Sequence, residues 1–166
     1  MKKTTNKSSS MTNYTFAALL CLFILLVDFY TKYIVRNDPR FIEGIPLIPD
    51  LVNLIYVKNE GAAFSMLSGY RIALIVISSI AILLGIYAIT RLFRNNKIII
   101  FAASMVIAGG IGNLIDRIIF GFVTDMISLS FFPPVFNVAD ISVTLGCIIL
   151  IIYILIFDSS KENSRG

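Results

Sequence analysis

The residues of this sequence that could do chemistry are a small set of charged side chains in or beside apolar stretches. They are Asp28, Lys32, Asp116, Arg117, Asp125 and Asp140. An ionisable group at or near membrane depth is energetically expensive, so each of them is a candidate functional residue. The chain contains no histidine, which excludes Ser-His and Cys-His nucleophiles and the histidine zinc motifs. Any catalysis must therefore use Asp, Glu, Lys, Arg, Tyr, Ser or the backbone.

Every one of these residues also has a purely structural interpretation. Ion pairs within a membrane often do no more than hold helices together, which applies to Asp28, Lys32, Asp116 and Arg117. Asp125 could be a solvated acid in a loop, and Asp140 could be a cap at the start of a helix. Residue type and spacing alone leave the structural and the catalytic interpretations open.

The composition predicts a membrane protein. The chain of 166 residues is 57% hydrophobic and only 14% charged, whereas soluble domains are typically about 45–50% apolar. This length allows a single domain, because four membrane spans of about 20 residues each already use half of the chain. In so apolar a chain the net charge of +4 reflects membrane topology, so no nucleic-acid partner is expected.

Four apolar segments predict membrane-spanning helices, and all five prolines lie outside them, as expected because proline disrupts a helix. The predicted spans cover residues 14–35, 71–92, 98–115 and 140–157. The first of them resembles a signal peptide, but no small residues follow it to form a cleavage site, so we expect a retained helix.

Charge and turn residues predict how the spans are oriented. Basic residues are concentrated near both termini and in the hairpin at 93–97, so the positive-inside rule places the termini in the cytoplasm. In the outer connection at 37–69, Leu51–Val57 is rich in β-formers and precedes a turn at Asn59–Gly61. The expected fold is an all-α membrane protein, a four-transmembrane-helix bundle with a small extracytoplasmic β element.

Four short sequence blocks, taken in order, resemble the motifs of one enzyme family. They are DxxTK at 28–32, KNxGAAFS at 58–65, GNxxDR at 112–117 followed by VxD at 123–125, and FNxAD at 136–140. Together they cover nearly the whole chain and resemble those of the bacterial lipoprotein signal peptidases, also called signal peptidase II, which are aspartic peptidases. A single block would be weak support, but the ordered set is specific.

The resemblance implies roles for individual residues. The family's catalytic pair matches Asp125 and Asp140 of this sequence. The residues that support the site or bind substrate match Asp28, Lys32, Asn59, Gly61, Asn113, Arg117, Asn137 and Ala139. Two packing positions depart from the family pattern, since Phe29 stands where the family usually has Gln and Met126 where it usually has Phe.

The resemblance also implies a reaction. Two carboxylates held close together share a proton, so one accepts a proton from water while the other hydrogen-bonds the scissile carbonyl. A helix amino terminus favours negative charge, so we expect Asp140 to begin as the base and Asp125 as the acid. No metal or other cofactor is expected. The turn at Asn59–Gly61 could close over the bound peptide.

The implied substrate is a prolipoprotein cut just before its diacylglyceryl-modified cysteine. We expect a monomer that contacts membrane lipid, lies in the bacterial cytoplasmic membrane, and has its active site on the extracytoplasmic side. The alternatives are a small proton-coupled transporter or channel subunit and a non-catalytic assembly factor. A transporter is expected to carry acids near the membrane midplane and paired broken helices in two repeats, which this sequence does not show.

Overall fold

Four long helices form the body of the protein. A computed structural model describes residues 3–62 and 66–162. The helices are α1 (Lys3–Asn37), α3 (Arg71–Tyr87), α4 (Lys97–Ile119) and α5 (Val138–Glu162), and a π-helical turn, Ala88–Leu92, extends α3. The described residues leave out 1–2 and 163–166, which belong to the termini used for the topology prediction. They also leave out residues 63–65 of the second sequence block.

Four segments of the described chain are long and apolar enough to cross a membrane, which confirms that prediction. They are Thr12–Asn37, Arg71–Leu92, Lys97–Ile119 and Val138–Ile156. The third runs four residues beyond its predicted end. It can do so because Asp116 and Arg117, the charged residues just beyond the predicted end, are both buried against other parts of the protein.

Helix α4 is the centre of the bundle and contacts α1, α3 and α5. Its contact with α5 is close because small residues face each other at two levels. A side chain at Gly109 would overlap the Ala139 carbonyl, and a Cβ at Gly146 would lie 2.6 Å from the Ala102 carbonyl oxygen. Such small-residue contacts are how membrane helices bring their backbones together.

A four-stranded antiparallel sheet joins the two connections at one end of the bundle. Its strands follow the order β1 (Ile45–Ile48), β2 (Val52–Asn59), β3 (Val123–Leu129) and β4 (Phe132–Phe136), and a short helix, α2 (Arg40–Glu43), precedes β1. The sequence predicted a β element in the first connection but not the second hairpin. Strand β4 contains Pro133 and Pro134, which an edge strand tolerates because one side of it is unpaired.

The sheet is fixed to the bundle by a small apolar core. Met126 of β3 packs with Val35 at the end of α1 and with Phe41 of α2, and all three are buried. Met126 therefore occupies a packing position, as expected for the residue where the family usually has Phe. This core holds one face of β3 against α1, and on the other face Asp125 contacts Asn59 of β2 and Asn137 at the start of α5.

Candidate active site

The two aspartates of the predicted pair lie at the corner where the sheet meets the helices. Asp125 is in β3 and Asp140 is in the first turn of α5. Asn137 contacts both: its side-chain Nδ2 donates to Asp125 Oδ1 at 2.6 Å, and its backbone N–H donates to Asp140 Oδ2 at 3.2 Å. One residue thus holds the two carboxylates on either side of it.

Asp125 is almost completely buried, with 1% of its surface exposed. Its second oxygen, Oδ2, accepts a hydrogen bond from Asn59 Nδ2 at 2.8 Å. Burial and, to a smaller extent, the neighbouring charge of Asp140 raise the pKa of Asp125 to about 6, although the hydrogen bonds from Asn59 and Asn137 act in the opposite direction. The environment therefore favours a proton on this carboxyl at pH values where an exposed aspartate is ionised.

Asp140 has both a structural and a site-facing role. The Asn137 side chain accepts from the Asp140 backbone N–H at 2.9 Å while Asp140 accepts from the Asn137 N–H, a reciprocal capping arrangement at the start of α5. The other carboxylate oxygen, Oδ1, accepts from Asn113 Nδ2 at 2.7 Å. The expected helix cap is present, and it orients the carboxylate toward the residues of α4.

The orientation of Asn113 is set by a buried lysine. Lys32 Nζ lies 2.8 Å from Asp28 Oδ2 and 3.0 Å from Asn113 Oδ1. Because the Asn113 oxygen also accepts from Asn137 Nδ2 at 3.1 Å, its amide nitrogen must face Asp140. The ion pair of α1 thus determines which end of the Asn113 amide faces Asp140.

Asp28 connects α1 to the beginning of α5. Its Oδ1 accepts from the Ala139 backbone N–H at 3.0 Å. That amide is one of the unpaired donors that every helix amino terminus carries, so the carboxylate satisfies it and also fixes the position of the neighbouring Asp140.

The turn after β2 is held by α4. Gly61 N–H donates to Asn59 Oδ1 at 2.9 Å, and Arg117 Nη2 donates to the Gly61 carbonyl at 2.9 Å. The Gly61 bond fixes the Asn59 oxygen, which leaves the Asn59 amide nitrogen to donate to Asp125. One hydrogen-bonded network therefore contains all of the predicted site residues. They are Asp28, Lys32, Asn59, Gly61, Asn113, Arg117, Asp125, Asn137, Ala139 and Asp140.

A cleft of about 610 Å³ opens at this network. Its polar lining includes Asn59, Asn113, Arg117 and Asp140, and much of the rest is apolar. Through shared lining residues in α3, α4 and α5 it continues into a second groove of about 960 Å³ that runs along the bundle and is lined almost entirely by apolar side chains. The arrangement places a carboxylate at the polar end of a long apolar groove.

Sequence reasoning missed Arg36 and Thr124 near the site. Arg36 Nη1 donates to Asp116 Oδ1 and to Thr124 Oγ1, each at 3.0 Å. A signal for Arg36 was present, because it follows Asp28 by eight residues and Lys32 by four, the spacing that places side chains on one face of a helix. Thr124 carries no comparable signal.

Comparison with known proteins agrees with this fold. A model of the Signal peptidase (SPase) II family matches residues 20–156. The chain is 39% identical over 141 residues to the lipoprotein signal peptidase of Caldanaerobacter subterraneus subsp. tengcongensis, covering 85% of this chain and 96% of that protein. It is 34% identical over 150 residues to that of Staphylococcus aureus, covering 89% and 92%.

Two solved structures have the same fold, and both are described as bacterial membrane enzymes determined by the in meso method. The first has a TM-score of 0.85 and 33% identity, covering 89% of this chain and 92% of the other. The second has a TM-score of 0.78 and 33% identity, covering 85% and 93%. The fold and the matches define a multi-pass membrane peptidase. Within that class, the chain belongs to the signal peptidase II family.

Proposed function

We propose that this chain removes the signal peptide from diacylglyceryl-modified prolipoproteins, and that it cuts just before the lipidated cysteine by activating water between Asp125 and Asp140. The family supports the removal of lipoprotein signal peptides. The observation that carries the catalytic assignment is the position of Asn137, whose side chain and backbone bind one carboxylate each. The pair lies at the end of the bundle, which suits a peptidase at the water boundary better than a midplane proton relay.

In the proposed mechanism Asp140 is the initial base, because the amino-terminal turn of α5 favours a negative charge there. It takes a proton from water, which attacks the scissile carbonyl carbon, while the protonated Asp125 hydrogen-bonds the carbonyl oxygen. The roles then exchange, and Asp140 delivers the proton to the leaving amine. Site-resolved carboxyl titration by NMR should show Asp125 keeping its proton up to about pH 6; an Asp125 that ionises at the pH of an exposed aspartate would exchange the roles of the two carboxyls.

The cleft supports a binding mode for the substrate. The apolar signal helix would lie in the groove along α3, α4 and α5, and the scissile bond would reach the polar end where Asn113 and Asp140 lie. Arg117 Nε is buried and has no hydrogen-bond partner in the described part of the chain. Because Arg117 lines the cleft, a rotation of its guanidinium group would present this donor to a peptide carbonyl of the substrate.

The segment Asn59–Gly61 is suited to contact the bound peptide from the sheet side, because it lies between the Asp125 carboxylate and Arg117. We expect it to close on the substrate before hydrolysis. A crosslink that fixes this segment to α4 should then stop turnover, and unchanged turnover would remove the gating role.

The proposed setting is the bacterial cytoplasmic membrane, with the site and sheet on the extracytoplasmic side. The hairpin between α3 and α4 lies at the other end of the bundle and carries Arg91, Arg94 and Lys97, which suits the cytoplasmic face. We propose a monomer as the active form.

Cleavage of a synthetic lipidated signal peptide by the purified protein tests the proposal. Asp125→Asn and Asp140→Asn should each lower kcat by at least about a thousandfold, the scale expected when a general acid or base is removed, without loss of folded protein. Asp50→Asn is the matched control, since Asp50 is an exposed acid beside the same sheet. Cleavage should persist with chelators and with serine- and thiol-directed reagents. An active Asp125→Asn protein would end the aspartate mechanism.

A further inference from the structure

Arg36 is a partly buried cation that the proposed mechanism does not use. It lies in the last turn of α1, and its side chain is 16% exposed. One guanidinium nitrogen, Nη1, donates both to Asp116 Oδ1 and to Thr124 Oγ1 at 3.0 Å. The guanidinium carbon also lies 4.2 Å from the centre of the Phe120 ring, within the range of a cation–π interaction. The side chain is therefore held by α4, by β3 and by the residue that follows α4.

Thr124 is the residue through which these contacts reach the catalytic pair. It is completely buried and immediately precedes Asp125 in β3. Its hydroxyl accepts from Arg36, and its backbone N–H donates to Asp116 Oδ2 at 3.0 Å. Both the side chain and the backbone of Thr124 are thus bound by the Arg36–Asp116 pair.

The other contacts of Asp125 fix its carboxylate more than its strand. Asn59 and Asn137 bind the two carboxylate oxygens, but side-chain amides can follow a carboxylate that moves. The β2–β3 pairing is irregular between Leu54 and Val57, next to the pair that Val57 forms with Asp125. Thr124 is the point, adjacent to Asp125, at which the strand is tied to both α1 and α4.

We propose that Arg36 is a positioning residue for the reaction, which acts through Thr124 to keep Asp125 at its working position opposite Asp140. This rests on the proposed function of the aspartate pair. An ion pair on an open surface would contribute little, but Arg36 is mostly buried, stacks on Phe120 and bridges two elements. A shift of about 1 Å in a reacting group is enough to cost up to about a hundredfold in rate.

Two single variants test the contact between Arg36 and Thr124, one at each residue. Thr124→Val removes the hydroxyl at nearly equal volume and keeps the N–H bond to Asp116, so the fold is preserved. Arg36→Gln removes the charge and the stacking. Each should lower kcat by about tenfold to a hundredfold with KM within about twofold, because the substrate-binding cleft is unchanged. Arg40→Gln is the control: this exposed arginine pairs only locally with Asp38, and its kcat should stay at the wild-type level.

A double variant and a conservative one separate positioning from general destabilisation. Arg36→Gln combined with Thr124→Val should be no slower than the slower single variant, because both remove the same contact. Thr124→Ser keeps the hydroxyl and should retain the wild-type kcat. A wild-type kcat in Thr124→Val, a raised KM with unchanged kcat, or a double variant whose loss is the product of the single losses would each overturn the inference. If Asp125→Asn is inactive in the same assay, such a result rejects Arg36 alone and leaves the proposed function standing.

Discussion

At the end of the bundle that carries the sheet, charged and amide side chains are buried together, whereas the bundle beyond it encloses an apolar groove. The buried polar group includes Asp28, Lys32, Asp116, Arg117, Thr124, Asp125 and Asn137. In the groove the lining is apolar, and α3, which the structure describes along its whole length, buries only Leu74. Directional bonds fix atoms where the reaction is proposed to occur, and non-directional packing leaves room where an apolar helix is proposed to bind.

The largest effect on the polar end of the bundle is expected when the buried cation Lys32 is removed. Lys32→Met leaves Asp28 without its ion-pair partner inside the protein, and unpairing a buried charge costs about 3–5 kcal/mol of folding free energy. Thermal unfolding in detergent should show the loss as a large drop in Tm. Lys58→Met, at an exposed lysine of β2, should change the folding free energy by less than about 0.5 kcal/mol. Equal effects of the two variants would contradict a special role for burial.

Removing the Asn137 side chain, at the end of the bundle that carries the sheet, should lower activity more than stability. Asn137→Ala loses the bond to Asp125, the bond to Asn113 and the cap of α5. We expect kcat to fall about a hundredfold, equivalent to about 2.7 kcal/mol of transition-state stabilisation, with about 1 kcal/mol lost from folding for the cap. A variant with unchanged kcat would show that Asn137 does not position the carboxylates.

The pH dependence of stability should report the burial of Asp125. Because its pKa in the folded protein is raised to about 6 from 3.8, the folded state holds this proton more tightly than the unfolded state. The carboxyl therefore stabilises the fold most below pH 3.8, and this contribution is lost as the pH rises through about 6. The Tm of Asp125→Asn relative to the wild type should therefore be higher at pH 8 than near pH 4. A constant difference across that range would mean that Asp125 titrates normally.

The smallest effect is expected for a substitution on the exposed apolar surface of α3. Leu83 on α3 is 65% exposed and belongs to the surface that faces lipid. Leu83→Ala should change the folding free energy and kcat very little, within about 0.5 kcal/mol. The reason is that the Leu83 side chain is surrounded by lipid or detergent both before and after unfolding. Thermal unfolding and the cleavage assay check both quantities.

The sequence predicted the parts of the structure that depend on local patterns. The four spans follow from hydropathy, and the resemblance identified the residues that form the polar network, including Asn59 and Asn137. The sequence did not predict β4, because Pro133 and Pro134 argue against a strand unless its edge position is known. Thr124 was missed because its importance comes from contacts with residues distant in sequence.

The site residues lie far apart along the chain, on β2, β3 and α5, and this has a consequence for biosynthesis. Asn59 and Asp125 are 66 residues apart, and Asp140 opens the last membrane helix. A nascent chain that has inserted three helices has therefore delivered only one of the two carboxylates. If Asp125 and Asp140 are the catalytic pair, as proposed, the protease becomes competent only when its final helix enters the bilayer, so an incompletely inserted chain has no assembled pair with which to cut its neighbours.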